Sequence, residues 1–466
     1  MHRLDEGVGG VLLCVDTDGI MRGLLTDGDI RRALLGDASM GAVLEPYMNT
    51  RFQSATEDMS HAEHLKMLSA TVRHVPILAQ GKPVGMLTWG ELWRLPVTEP
   101  SLGGNEMKYL ADCIDTVWIS SQGDYIERFQ QSFIAFHGEG LALCTSSGTT
   151  ALHLALEALG IGHGDEVILP NTTFGASANV VIHAGAKPVF VDIEPVTWTL
   201  DTQKLEAAIT PNTKAIMPVH LYGHPCDMDP IMAIARKHGL KVVEDCAEAL
   251  GAEYKGRKAG LIGDVGCYSF FANKVITTGE GGMILCRDAA LMERMSLLRD
   301  HGMSKQHRYW HLEAGFNYRM TNMQAALGLA QMERIETFLT QRESVVARYN
   351  ERLSGLEGIR TPRTASWAKN IHWLYSIEVD AGAAGFDRDY LAEALRRAGV
   401  ETRPVFLPLH VQPAYGSASP GLFPVSERFA LEGMSLPTSN GLSMESADLV
   451  CDAIEEVVKT SKTRAT

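Results

Sequence analysis

Three observations predict an α/β protein with a mainly parallel sheet, preceded by a small α+β domain. From Glu106 onward, short β-rich runs alternate with amphipathic helical segments. Two prolines and two glycines crowd into Leu95–Gly104, a turn density that marks a boundary. Ahead of that boundary a strand–turn–strand pattern occurs twice. A length of 466 residues suits roughly three folding units. The divisions expected are 1–96, a linker at 97–105, a large unit at 106–340 and a smaller one at 341–466.

In the first 96 residues, Gly10–Val15 and Met21–Leu25 read as strands joined by a turn at Asp16-Thr17-Asp18-Gly19. Thr26-Asp27-Gly28-Asp29 then opens a helix at Ile30–Leu35. Val75–Ala79, a turn at Gln80-Gly81-Lys82-Pro83, and Val84–Leu87 repeat the pattern, and Thr88-Trp89-Gly90-Glu91 opens a second helix. Each copy carries Gly-x-x-Thr-x-x-Asp/Glu: Gly23, Thr26, Asp29 and Gly85, Thr88, Glu91. A Thr or Asp at a helix start is first of all an N-cap. The tandem resembles a pair of cystathionine-β-synthase-type (CBS) modules whose first copy lacks its opening helix. That resemblance implies a purine nucleotide contacted by Thr26 and Asp29 and by Thr88 and Glu91, or else a structural or dimerising role.

In the large unit the candidate strands are Leu141–Cys144, Glu166–Leu169, Pro188–Asp192, Ala215–Val219, Val242–Asp245, Gly266–Phe270 and Gly282–Cys286. The segment Thr149–Leu159 puts Leu152, Ala155, Leu156 and Leu159 on one helical face. The last ~120 residues read as helix-rich, with a β-like run at Trp373–Val379.

Composition narrows the function. Forty-two Lys and Arg against 56 Asp and Glu give a net charge of −14, which does not suit a general nucleic-acid binder. No apolar stretch reaches the ~18–20 residues of a membrane helix. The first residues turn acidic at once, without the apolar region of a secretory signal. Eight cysteines are scattered without a C-x-x-C pair and read as small buried hydrophobes. A reduced, cytoplasmic protein is expected. His220, His224, His301 and His410 share no metal-ligand spacing, so no metal is expected. Forty-four glycines, above the usual ~7%, hint at ligand-cradling loops.

Three segments converge on one chemistry. Thr145-Ser146-Ser147-Gly148-Thr149-Thr150 lies between a strand and a helix, where free N–H groups can meet a phosphate. In Val242-Val243-Glu244-Asp245-Cys246-Ala247-Glu248, Asp245 ends a buried strand, and a buried carboxylate needs a cationic partner. A protonated pyridine nitrogen is one such partner. The third segment, Tyr268–Gly282, sets Lys274 between an apolar strand and a glycine-rich turn. A lysine partly desolvated there can lose its proton and act as a Schiff-base former.

Together these segments resemble the sugar-nucleotide aminotransferases of the DegT family, fold-type I enzymes dependent on pyridoxal phosphate (PLP). The resemblance runs from about Ser101 to Ala414 and includes Trp118–Gly123, Asn171–Asn179 and Gly315–Asn322. It implies a mainly parallel seven-stranded sheet with a smaller C-terminal α/β subdomain. By position it makes Lys274 the residue that joins PLP covalently and shuttles the substrate proton, and Asp245 the partner of the pyridine nitrogen. Glu248 would lie near the ring hydroxyl, and Phe174 would stack on the ring. Gly148, Thr149 and Ser269 would hold the phosphate, with Asn317 reaching in from a second subunit of an obligate homodimer. His307, Arg319 and Arg403 are candidate contacts for a donor carboxylate or nucleotide phosphates.

Relatives that dehydrate keto-sugars carry His at the position of Lys274, so its retention favours transamination. Phe270–Met283, Lys305–His311 and Glu401–Phe406 resemble the GDP-perosamine synthase branch. That branch aminates C4 of GDP-4-keto-6-deoxy-D-mannose, with L-glutamate as the usual donor in the family. Ala272 stands where the branch often has Gly, and the appended CBS-like pair is a larger departure. The same reaction on a UDP- or dTDP-linked keto-sugar, and a PLP-binding nucleotide-sensing regulator, are the alternatives.

Overall fold

Local turn and cap chemistry shapes the N-terminal unit. The computed structural model describes residues 11–36, 42–59, 63–64, 67–68, 72–88, 95–416 and 421–465. Contacts divide it into two units, Met1–Leu95 and Pro96–Thr466. In the first, β1 (Val11–Val15) and β2 (Met21–Thr26) pair antiparallel. Between them Asp16 Oδ1 accepts from the N–H groups of Asp18 and Ile20, and Gly19 takes φ +81°. Helix α1 (Asp27–Leu35) begins at Thr26, whose hydroxyl caps the Asp29 N–H while the Asp29 carboxylate accepts from the Thr26 N–H. A second sheet joins β3 (Ala55–Thr56), β4 (His74–Ala79) and β5 (Lys82–Thr88). The four-residue turn expected at 80–83 closes to Gln80-Gly81, both at positive φ, as a two-residue hairpin loop requires. Lys82 and Pro83 join the strand instead. Thr88 ends β5, and the helix expected after it, with Glu91, lies outside the described residues.

All seven candidate strands of the second unit lie in one sheet. They are β6 (Leu141–Thr145), β7 (Glu166–Pro170), β8 (Lys187–Val191), β9 (Thr213–Ile216), β10 (Lys241–Asp245), β11 (Val265–Ser269) and β12 (Gly282–Cys286). Their order is β6-β12-β11-β10-β9-β7-β8, and β12 alone among them runs antiparallel to its neighbours. β7 and β12 are buried along their whole length, which is why they read as unbroken apolar runs rather than alternating ones. Helix α2 (Gly148–Ala158) packs Leu152, Leu154, Ala155 and Leu156 into the sheet's core with Val167, Val243, Cys267 and Ile284. α3 (Ala176–His183) follows β7, and α4 (Ile335–Leu353) runs toward the C-terminal part. There β13 (Ile359–Arg360), β14 (Tyr375–Val379), β15 (Arg403–Pro404) and β16 (Gly433–Leu436) form an antiparallel sheet in the order β13-β14-β16-β15. Among the described residues no helix is long and apolar enough to cross a membrane.

Candidate active site

Parallel strands collect their C-terminal ends along one edge, where open α/β sheets bind ligands. Asp245 is the last residue of β10, Ser269 the last of β11, and Ser147 follows β6 by two residues. These ends open onto a cavity of about 450 Å³, also lined by Gly148, Thr149, Phe174, Glu248, Lys274 and Arg403. The volume suits a cofactor-sized ligand.

Each wall has a local cause. Ser147 caps α2 by accepting from the Thr150 N–H at 3.1 Å, while the Thr150 hydroxyl accepts from the Ser147 N–H at 3.0 Å. That leaves the amides of Gly148 and Thr149, the first two helical residues, without carbonyl partners inside the helix. A Cβ on Gly148 would stand 2.7 Å from that of Ser269, so only glycine lets the helix start so close to β11. After β11 the chain doubles back: the Phe270 N–H donates to Gly281 O and the Thr278 N–H to Phe270 O. Lys274 rides on this closed loop, its N–H bonded to Phe271 O at 2.9 Å.

Three titratable side chains meet inside. Lys274 Nζ lies 3.5 Å from Glu248 Oε1 and 3.7 Å from the centre of the Trp373 ring. Asp245 accepts from Ser177 Oγ at 2.8 Å and from the Ala247 N–H at 3.1 Å. Glu248 accepts from the Tyr222 N–H at 2.9 Å, an amide aimed by the left-handed backbone of Tyr222 at φ +52°. Burial pushes the Asp245 and Glu248 carboxyls up and the Lys274 ammonium down, with mutual attraction opposing each shift. A lysine so desolvated gives up its proton more readily than a surface one.

Other predicted residues fall differently. Phe174 stays 61% exposed at the cavity and packs on Phe406, ring centres 5.9 Å apart. Arg403 faces the cavity and approaches Glu401 at 3.9 Å. Asn317, His307 and Arg319 do not line the cavity of this single chain. Arg319 pairs with Asp300 at 2.6 Å and donates to Asn317 Oδ1 at 3.2 Å, while the exposed His307 caps its own turn through its N–H on Ser304 Oγ. Thr26 and Asp29 belong to the N-terminal unit, where the Asp29 carboxylate also binds Arg32. Sequence reasoning missed Ser177, Tyr222, Trp373 and Phe406. Ser177 and Phe406 lie inside family-like motifs, Asn171–Asn179 and Glu401–Phe406, whereas Tyr222 and Trp373 carry only the signal of aromatics beside apolar residues.

The donor set fits PLP. Free helical amides and Ser269 suit its phosphate, and Lys274 suits its aldehyde. Asp245, with two of about four acceptor positions filled, has capacity left for a pyridinium N–H.

Comparison with known proteins agrees. The DegT/DnrJ/EryC1/StrS aminotransferase family pattern matches residues 100–455. GDP-perosamine synthase of Caulobacter vibrioides is 48% identical over 369 residues, spanning 79% of this chain and 99% of that protein. Among solved structures, S. venezuelae DesV superposes with a TM-score of 0.72 at 36% identity, covering 76% of this chain and 94% of the other. The PLP form of Spr1654 from Streptococcus pneumoniae superposes with a TM-score of 0.74 at 29% identity, covering 78% and 99%. The chain thus belongs to the DegT/DnrJ/EryC1/StrS aminotransferase family and is a PLP-dependent aminotransferase.

Proposed function

We propose that the protein aminates C4 of a nucleotide-linked 4-keto-6-deoxy sugar, with GDP-4-keto-6-deoxy-D-mannose as substrate, GDP-perosamine as product and L-glutamate as donor. The observation that carries the reaction type is the convergence of Lys274, Glu248 and Asp245 in one buried cavity at the strand ends. The sugar rests on near-full-length similarity to a GDP-perosamine synthase.

PLP, when bound, supplies an electron sink for the carbon that loses or gains the amino group. The chain's residues orient it and move protons. Lys274 holds the cofactor; once released, its Nζ takes the proton from the donor's α-carbon and returns it to the reacting centre. Desolvation lets that amine cycle between charged and neutral forms. Asp245 would keep the ring nitrogen positively charged, and Ser177 holds the carboxylate in place. When PLP is bound, Glu248 would lie near the ring hydroxyl, Phe174 would stack on the ring, and Gly148, Thr149 and Ser269 would hold the phosphate. Asn317 would reach the site from a second subunit, and His307, Arg319 and Arg403 would contact the donor carboxylate or the nucleotide phosphates.

A panel of GDP-, UDP- and dTDP-linked 4-keto-6-deoxy sugars with glutamate tests the substrate. Turnover of the GDP sugar is expected, and turnover of another nucleotide sugar alone would refute that assignment. Lys274→Ala is expected to lose the cofactor's visible absorption and at least about 10⁴-fold in kcat. The N-terminal unit, read as a CBS-type pair, would bind a purine nucleotide; calorimetry on wild type and Asp29→Ala checks this, and heat in neither leaves it a structural role.

A further inference from the structure

Lys274 is held from both sides by residues remote in sequence. The carbonyl just before it, Asn273 O, accepts from Trp373 Nε1 at 2.8 Å. The carbonyl just after it, Val275 O, accepts from Asn440 Nδ2 at 2.6 Å. One side chain ties these two donors together. Arg342 on α4 donates from Nε to Asn440 Oδ1 at 2.7 Å and from Nη1 to Trp373 O at 2.9 Å. The circuit thus runs from Asn273 O through Trp373, Arg342 and Asn440 back to Val275 O, with Lys274 at its centre.

The materials of this circuit are unusual for a purely structural link. Arg342 is only 2% exposed, and among the described residues its guanidinium bonds neutral oxygens rather than a carboxylate. A buried unpaired charge is costly unless something specific is gained from its several directed donors. Its bonds converge on the backbone of His372 and Trp373 and on Asn440. The Trp373 ring in turn lies under Lys274 Nζ at 3.7 Å, a cation–π distance, and stacks on Tyr222 at 6.3 Å with a 21° interplanar angle.

We propose that Trp373, Asn440 and Arg342 form a bracket that aims the free Lys274 amine into the cavity, and that all three are positioning residues for the cofactor-binding lysine. This rests on the reading of Lys274 as that lysine. The bracket fixes the backbone on either side of the lysine, and the indole face gives the free ammonium a resting place beside Glu248. A pre-aimed amine condenses with the cofactor aldehyde, forming a C=N bond as the aldehyde oxygen leaves as water with the amine's two protons, and its side chain is already ordered.

The test uses the full chain freed of cofactor and two probes, PLP and pyridoxamine phosphate. The second has an amine in place of the aldehyde, so its affinity reports the cavity without the bond to Lys274. In Trp373→Phe, which keeps an aromatic face but loses the donor to Asn273 O, PLP is expected to bind about tenfold more weakly, with pyridoxamine phosphate unchanged. Asn440→Ala, which does not line the cavity, is expected to behave alike. Equal weakening of both probes, or of neither, would overturn the bracket. Lys274→Ala separates the two ideas. If it binds PLP as tightly as wild type, the lysine reading fails; if it does not, while Trp373→Phe and Asn440→Ala do, only the bracket fails.

Discussion

Glu244 and Asp245 are neighbours on β10, at 0% and 5% exposure, and their side chains leave opposite faces of the sheet. On one face Glu244 accepts from His220 Nε2 at 3.0 Å and from the N–H groups of Gly260, Ile262 and Gly263 at 2.6–2.9 Å. His220 is committed as well: its Nδ1 accepts from the Cys226 N–H, so Nε2 carries the proton given to Glu244. His220, Glu244 and Cys246 offer ligand atoms within 4.8 Å of one another, a spacing a metal could use. Every lone pair such an ion would need on the histidine and carboxylate is already engaged. On the other face Asp245 has two donors and a cavity in front of it. Burial works to raise both carboxyls. Hydrogen bonds outweigh it at Glu244, which is held below the ordinary range, whereas burial wins at Asp245, which is pushed above it. Burial alone therefore does not mark a functional group; burial with unspent bonding capacity facing a cavity does.

The comparison predicts that one class of buried group governs activity and the other stability. Of the two carboxylates, the larger effect on activity is expected at Asp245→Asn, which keeps shape but removes charge. Its kcat should fall about 10²–10³-fold, with the urea midpoint hardly moved. A variant that unfolds early yet turns over normally would erase the distinction.

Glu244→Gln should do the reverse. Whichever way the amide turns, its NH₂ faces an N–H donor, so unfolding should become easier by about 3 kcal/mol while the folded fraction keeps its kcat. Urea titration and single-concentration assays on the same preparation read both.

A smaller effect should appear with pH. His224 donates from Nδ1 to Pro225 O at 2.7 Å and accepts at Nε2 from the Ala365 N–H at 3.1 Å. Burial holds its pKa to about 4. The unfolded chain takes a proton below ~6.5 and the folded chain only near 4, so this stability is complete above ~6.5 and is lost as pH falls toward 4. The slope due to this residue is about 1.4 kcal/mol per pH unit within that window. Unfolding curves at stepped pH should show it, and His224→Gln should flatten it.

The smallest effect is expected at Thr26→Ala. Loss of the cap on α1 should cost about 1 kcal/mol locally, seen as faster amide exchange over residues 27–35, with transamination unchanged.

Much of the scaffold was legible. Each of the seven strands matches its apolar run within two or three residues at either end, since buried strands need unbroken hydrophobic stretches. Ser147 and Thr26 act as caps because Ser and Thr before a helix have few better uses. Asp245 and Lys274 stand out locally, a carboxylate at the end of an apolar strand and a lysine before a glycine turn, whereas Glu248 enters only through the family resemblance. Ser177, Trp373, Arg342 and Asn440 offered no such oddity. Their partners lie 68, 100, 98 and 165 positions away along the chain, and nothing local records a hydrogen bond across that span.

By itself, then, the sequence determined the layers and the caps, because periodicity and turn chemistry are properties of neighbouring residues, and it offered Asp245 and Lys274 as candidate reactive groups. Only the tertiary structure decided how bonding capacity is divided between two adjacent carboxylates, Glu244 saturated by donors and Asp245 left open toward the cavity. That division depends on the number of donors brought to each side chain, and on the water removed around it, by segments that meet only when the chain is folded.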